Sequence, residues 1–262
     1  MRKLRSFITI GLHAVTTYRL IIVVWVLSGI IEPIIWGVLW FVAARDSGLP
    51  LSQGEVFSYY AFILVISRIT TSWTFDDVRS DIFQGRYSKY LLWPSGLILY
   101  RFGFAVSHAL ISIVSLAPFW VVLFMWGVSN GLITYDLAML PFALATVLLA
   151  FSIRFSIDMV LGHLALWFGR TEGLSIAYRA VSRILGGIAV PLMVLPDVIG
   201  RLAMFLPFKY IYAFPAEILI GTVSLREHVF GFGIGGLWVL GMMGILVVLG
   251  RYGLRNYEAV GI

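Results

Sequence analysis

Residues 102–126 read FGFAVSHALISIVSLAPFWVVLFMW, with no Asp, Glu, Lys or Arg among them. About 20 apolar residues in a helix cross the roughly 30 Å hydrocarbon core of a bilayer. Working outward from this run, similar apolar stretches cover about 20–44, 56–73, 137–168, 176–195 and 229–250. The chain is 60% hydrophobic and 12% charged, against roughly 25% charged residues in an ordinary soluble domain. A soluble fold of this size has too little interior to hide that excess, whereas lipid is itself the apolar solvent. The sequence therefore predicts an all-α integral membrane protein, one membrane domain over 1–262 with six transmembrane helices.

The punctuation between runs supports this division. Asp46–Gly54 and Gly127–Asp136 carry Gly48, Pro50 and Asn130-Gly131, which mark loops. In residues 1–19, Leu4, Phe7, Ile8, Leu12 and Val15 recur at helical spacing among Arg5, His13 and Arg19. That pattern predicts an N-terminal helix lying in the membrane interface. The run 137–168 is too long for one upright span, so it is read as tilted or kinked. After 195, Pro196, Pro207 and Pro215 break the apolar pattern, because proline removes a helix donor. Two short re-entrant or interfacial helices are expected there, near 197–205 and 214–222, with Glu217 in the second.

Basic residues orient the chain. Arg2, Lys3, Arg5, Arg19, Arg79, Arg86, Lys89, Arg101, Arg170, Arg179, Arg251 and Arg255 fall on one side, and Arg45, Arg201, Lys209 and Arg226 on the other. Lys and Arg accumulate in cytoplasmic loops, so both termini are expected in the cytoplasm of a multi-pass plasma (inner) membrane protein. The same loops account for the net charge of +6 without nucleic acid. No cleaved signal peptide is expected, because the first long apolar run starts only near Leu20 and is long enough to span. The absence of cysteine excludes a disulfide framework and thiolate metal chemistry, and four His give little basis for a metal site.

No Gly-Lys-Ser or Gly-Lys-Thr occurs. A phosphate-binding loop needs that Lys and hydroxyl after a glycine-rich turn. The chain is read as having no catalytic residue and no cofactor of its own.

Asp76-Asp77-Val78-Arg79-Ser80-Asp81-Ile82-Phe83-Gln84-Gly85-Arg86-Tyr87-Ser88-Lys89-Tyr90-Leu91-Leu92-Trp93-Pro94 mixes both charge signs with aromatics. Asp suits a helix N-terminus and Gly85 suits a helix end. Two readings stand: a docking helix for a cytoplasmic partner, or a solvated loop with interfacial aromatics.

Ionisable groups at membrane depth cost about 2.5–3.5 kcal/mol or more, so they face protein or water. Glu32 lies mid-span beside Pro33. It can pair with Arg183 or Arg68 from another span, or be protonated; it serves either a substrate path or an interhelix pair. Arg154 and Asp158 are four apart, a spacing that permits a bridge within one helix. His163 is read first as a hydrogen-bonded polar residue, and second as a ligand or proton relay. Gly231, Gly233, Gly235, Gly236, Gly241 and Gly244 permit close helix packing, within the chain or against a second membrane chain.

Ile82-x-x-Gly85 followed by Leu91-Leu92 and Pro94 resembles the first cytoplasmic loop of ABC-2 type exporter permeases. Pro191, Pro196, Leu206-Pro207-Phe208, Phe214-Pro215-Ala216 and Gly221 resemble the broken segment between their fifth and sixth spans. Gly253-Leu254-Arg255-Asn256-Tyr257 and Gly261 resemble their C-terminal end, and the six-span layout is theirs. The likeness covers essentially the whole chain. It implies a coupling helix within Asp76–Tyr90, with Asp76, Asp81, Arg86 and Lys89 as docking contacts and Ile82 and Phe83 as apolar anchors. It also implies two copies of a separate ATPase carrying ATP and Mg, and a second permease, identical or related, across spans 1 and 5. No Glu-Ala-Ala…Gly importer loop is found, which favours export. Few charges in the spans suggest a hydrophobic or amphipathic substrate.

Two other classes compete. An ion-coupled secondary transporter usually carries matching interrupted helices in two halves, and the broken segment here appears once. A membrane enzyme or assembly factor is the third reading. An enzyme wants clustered His, Asp or Glu, and the carboxylates here are scattered.

Overall fold

The computed structural model describes residues 2–16, 19–46, 49–93, 96–168, 171–222 and 224–253, and no strand occurs among them. Four stretches are long and apolar enough to cross a membrane: Ser28–Arg45, Gly96–Ser129, Leu137–Phe168 and Arg226–Gly250. The first lies within helix α2 (Arg19–Asp46), which follows α1 (Arg2–Thr16). Helix α3 (Gln53–Thr70) returns antiparallel to α2, with Gly37 packed on Tyr60 and Gly29 against Arg68. Its start is fixed by a capping box: Ser52 Oγ accepts from the Glu55 amide at 3.2 Å, and Glu55 accepts from the Ser52 amide at 2.8 Å.

At the far end of α3 the chain forms a helical hairpin, α4 (Thr74–Phe83) and α5 (Tyr87–Leu91). Helix α6 (Gly96–Ser129) then crosses back against α3, where Trp120 Nε1 donates to the Ala61 carbonyl at 3.0 Å. Its 34 residues extend about 50 Å at 1.5 Å per residue, so it overruns a bilayer core. Helix α1 runs along the first half of α6. Phe7 sits over Gly103, and Ser107 Oγ donates to the Ile8 carbonyl at 2.8 Å.

A turn closed by Gly131 at φ 66° leads through a short 3-10 segment, Leu137–Met139, into α7 (Leu140–His163). Leu164 interrupts it before α8 (Ala165–Phe168). Helix α13 (Leu225–Gly253) lies beside α7 and runs the same way, with Gly235 packed on Leu149. The other glycines of its stripe differ: Gly231 meets Phe214, while Gly233, Gly236, Gly241 and Gly244 have nothing within reach of an added Cβ.

The run 176–195 departs from the single span expected. Helix α9 covers Glu172–Leu185, then Gly186 and Gly187 turn the chain away. Fourteen residues reach about 21 Å, short of a bilayer core. Gly187 holds φ 86°, and its carbonyl accepts from Tyr59 Oη at 2.7 Å. Trp40 Nε1 donates to the Ala189 carbonyl at 2.9 Å, so α2 and α3 together hold this turn.

The proline-broken segment forms three short helices rather than two: α10 (Asp197–Ala203), α11 (Pro207–Ile211) and α12 (Ala213–Leu219). Pro207 opens α11, where its missing N–H costs nothing. Every residue from Ala213 to Ile218 is buried, wedged between α3 and α7. The C-terminal motif from Leu254 onward, Arg170 and Pro94 lie outside the described residues.

Candidate functional site

The α4–α5 hairpin packs at one end of the bundle, against α6, α7 and α8. Asp76 and Asp77 fall in the first turn of α4, where carboxylates favour the helix dipole. The helix stops because Gly85 takes φ 66°, while the Gln84 amide donates to the Ser80 carbonyl at 3.0 Å. Beneath the hairpin, Val78, Tyr87 and Tyr90 are buried with Phe155 and Met159 of α7.

Asp81 ties this hairpin together. Its side chain is 3% exposed. Arg86 Nε donates to one carboxylate oxygen at 2.9 Å, and Tyr90 Oη donates to the other at 2.8 Å. Arg101 of α6 donates to that second oxygen and, at 2.6 Å, to Asp77. Burial pushes the Asp81 carboxyl up; the Arg101 charge and the Tyr90 and Arg86 donors outweigh it and hold the group below the ordinary carboxylate value. Burial likewise raises the Tyr90 hydroxyl, so it stays protonated and donating.

Helix α9 is joined to the hairpin by two ion pairs, Arg79–Glu172 and Asp76–Arg179, the latter at 3.4 Å. Further along, Arg183 pairs with Glu32 of α2 at 3.0 Å. Of the partners open for Glu32 on the sequence, Arg183 meets its carboxylate.

Deeper in the bundle, Arg154 donates to Asp158 at 3.1 Å and to Tyr212 Oη at 2.7 Å, and lies 5.0 Å from the Tyr178 ring centre. Ser72 donates to the same Asp158 oxygen at 2.9 Å. His163 bonds the Tyr87 hydroxyl at 2.9 Å and the Met159 carbonyl at 2.7 Å. It is a strut between α5 and α7.

Away from the hairpin, Glu217 of α12 pairs with Lys209 of α11 at 3.1 Å, with 3% of the Glu217 side chain exposed. The pair lines a cavity of about 200 Å³ together with Tyr210, Phe214, Glu227 and Phe230. Pro196, Pro207 and Pro215 bracket the short helices around it. An apolar groove of about 280 Å³ lies between α2, α3 and α6, walled by Pro33, Gly37, Phe41, Tyr60 and Trp126.

Residues 51–261 match the family described as ABC-2 family transporter protein. The chain belongs to that family. It is a membrane protein with several apolar helices, and membership implies association with an ATP-binding-cassette ATPase. No curated protein matches the sequence.

Within this ABC-2 chain, the residues expected in the loop divide by direction. Phe83 is 50% exposed, and Gln84, Arg86 and Lys89 face outward beside it. Ile82 is half-buried and Asp76 is held by Arg179. Asp81 departs from the docking role expected of it: a buried carboxylate with three internal donors has no face left for a partner. Arg101, Tyr90, Arg179, Glu172 and Lys209 carry parts of the site that the sequence reading left out of its candidates. Two signals pointed to the first: Asp77 and Asp81 stand four apart on one helical face, and Arg101 opens an apolar run.

Proposed function

We propose that this chain is the permease subunit of an ATP-binding-cassette exporter, with the α4–α5 hairpin as its coupling element. One observation carries the reading. The hairpin packs on α7, presents Phe83, Arg86 and Lys89 outward, and is tied to α6 through Asp81–Arg101 and to α9 through Arg79–Glu172 and Asp76–Arg179. A loop with no mechanical duty has no need of such anchorage.

On this reading the chain is a single permease domain over 1–262. Its spans are α2, α3, α6, α7 with α8, and α13, while α9 enters the membrane and ends at the Gly186–Gly187 turn. Helices α10 to α12 dip back as re-entrant pieces, and α1 lies at the cytoplasmic interface. Both termini and the hairpin face the cytoplasm of the plasma (inner) membrane, as the distribution of basic residues favours. Two ATPase copies bind the ATP and Mg. Two permeases, identical or related, meet through α2 and α9. Movement of the ATPases at the hairpin tip is passed to α6 and α9, biasing a two-state equilibrium between inward- and outward-facing forms. The apolar groove beside α2 supports a hydrophobic or amphipathic substrate. Preferential transport of a small hydrophilic solute contradicts that part.

The test is affinity purification of the tagged protein from its native membrane in mild detergent, with co-purifying chains identified by mass spectrometry. A stoichiometric soluble protein with a Gly-x-x-x-x-Gly-Lys-Ser/Thr loop is expected. Recovery of this chain alone, from a sample that keeps other complexes intact, overturns the reading in favour of a self-sufficient transporter.

A further inference from the structure

We infer that the ATPase surface receiving the hairpin is an apolar pocket with an acidic rim; this rests on the coupling role proposed above and adds the chemistry of the partner. The hairpin sequence looks charge-balanced, with Asp76, Asp77 and Asp81 against Arg79, Arg86 and Lys89. At the tip, folding separates the signs: Asp76 and Asp77 stay in the first turn of α4, where 47% of the Asp77 side chain is exposed, and the third carboxylate is withdrawn. Asp81 is buried among Arg86, Arg101 and Tyr90. Asp77 is taken by Arg101, and Asp76 by Arg179. Every carboxylate of the hairpin is thus answered by an arginine of its own chain.

The outward groups are of the other kind. Lys89 lies 4.7 Å from the Tyr90 ring centre and forms no ion pair among the described residues. Arg86 uses Nε on Asp81, with 48% of its side chain exposed. At the end of α4 stands Phe83, half-exposed. A surface matching this tip needs a pocket that desolvates one aromatic ring, and carboxylates beside it for the two cations. Complementary charge at such a rim chiefly sets association rate and salt dependence.

The experiment measures affinity between the detergent-purified permease and the ATPase subunit that co-purifies with it, at 50 and 500 mM NaCl. Wild type is expected to bind more weakly at the higher salt. Lys89→Glu is expected to weaken binding by about five- to tenfold at the lower salt, as a rim charge pair of modest energy turns repulsive. Phe83→Ala is expected to cost about 30-fold, as for a central anchor. Lys89→Gln, a neutral substitution at an exposed site, keeps the test usable if the reversal fails to fold. Loss with Phe83→Ala, but salt-independent binding unaffected at Lys89, overturns the acidic rim and leaves the coupling role standing. Binding indifferent to both residues overturns both.

Discussion

Asp81 and Asp158 are both nearly inaccessible carboxylates facing an arginine, one at the hairpin and the other inside the bundle. They differ in saturation. Asp81 uses both oxygens, one on Arg86 and the other on Tyr90 and Arg101. Asp158 takes Ser72 and Arg154 on one oxygen, while the other has no hydrogen-bond partner among the described residues. A saturated buried carboxylate behaves as a clamp, because removing it strands the charges around it. An undersatisfied one carries a desolvation cost that a rearranged state can relieve. Asp158 also sits where several elements meet: Ser72 begins the link into α4, and Arg154 reaches Tyr212 at the corner of α11 and α12. The contrast assigns rigidity to the hairpin base and adjustability to the interior.

The largest expected effect is at the clamp. Asp81→Ala leaves Arg101 buried without its main partner and is predicted to cost about 3–5 kcal/mol, read as a lowered thermal midpoint in detergent and faster proteolysis of the hairpin. Asp158→Asn keeps an acceptor for Ser72, and Arg154 keeps Tyr212. Its predicted cost is smaller, about 1–3 kcal/mol. The reverse order of these two variants breaks the comparison. Gly85→Ala forces a side chain into φ 66°, at about 1–2 kcal/mol, and should loosen the hairpin selectively in hydrogen exchange. Arg79→Ala removes a partly exposed pair, so the thermal midpoint should move by under about 1 kcal/mol equivalent. Transport per ATP hydrolysed should fall further than that change in stability implies, because the link to α9 is lost. Equal, small losses in both remove α9 from the transmission.

Acid gives the smallest effect near neutrality. The Asp81 carboxyl is depressed in the folded protein, so its contribution is complete above the ordinary carboxylate value of about 4. It is lost as pH falls through the lower folded value. Hairpin protection should therefore be flat from about pH 5 to 8. A loss centred near neutrality points to another group.

Much of this was legible from residue types. Uninterrupted runs such as 102–126 and 229–250 announced long helices, because length and apolarity are local properties. The turn at Gly85 was legible for the same reason. The fate of 176–195 was not. Its residues are mostly apolar, with Arg179, Ser182 and Arg183 among them, but Gly186 and Gly187 turn the chain, and the holding contacts come from Tyr59 and Trp40, far away in sequence. The direction in which a charged side chain points was equally hidden. Asp81 and Lys89 read alike as loop charges, yet Arg101, 20 positions beyond Asp81, draws one inward while the other stays out. Arg183 as the partner of Glu32 was one choice beside Arg68 or a protonated carboxyl, and the ion pair itself joins helices about 150 positions apart.

The central claim is that the hairpin tip touches the ATPase. The chain contains no cysteine, so Phe83→Cys supplies the only thiol, and Asn130→Cys places a control at the opposite end. Each variant is labelled with a short thiol-reactive photo-crosslinker in the co-purified complex. The account predicts an adduct between position 83 and the Gly-x-x-x-x-Gly-Lys-Ser/Thr ATPase, and none from position 130. An adduct from position 130, or no adduct from position 83 in a preparation that retains the ATPase, contradicts it.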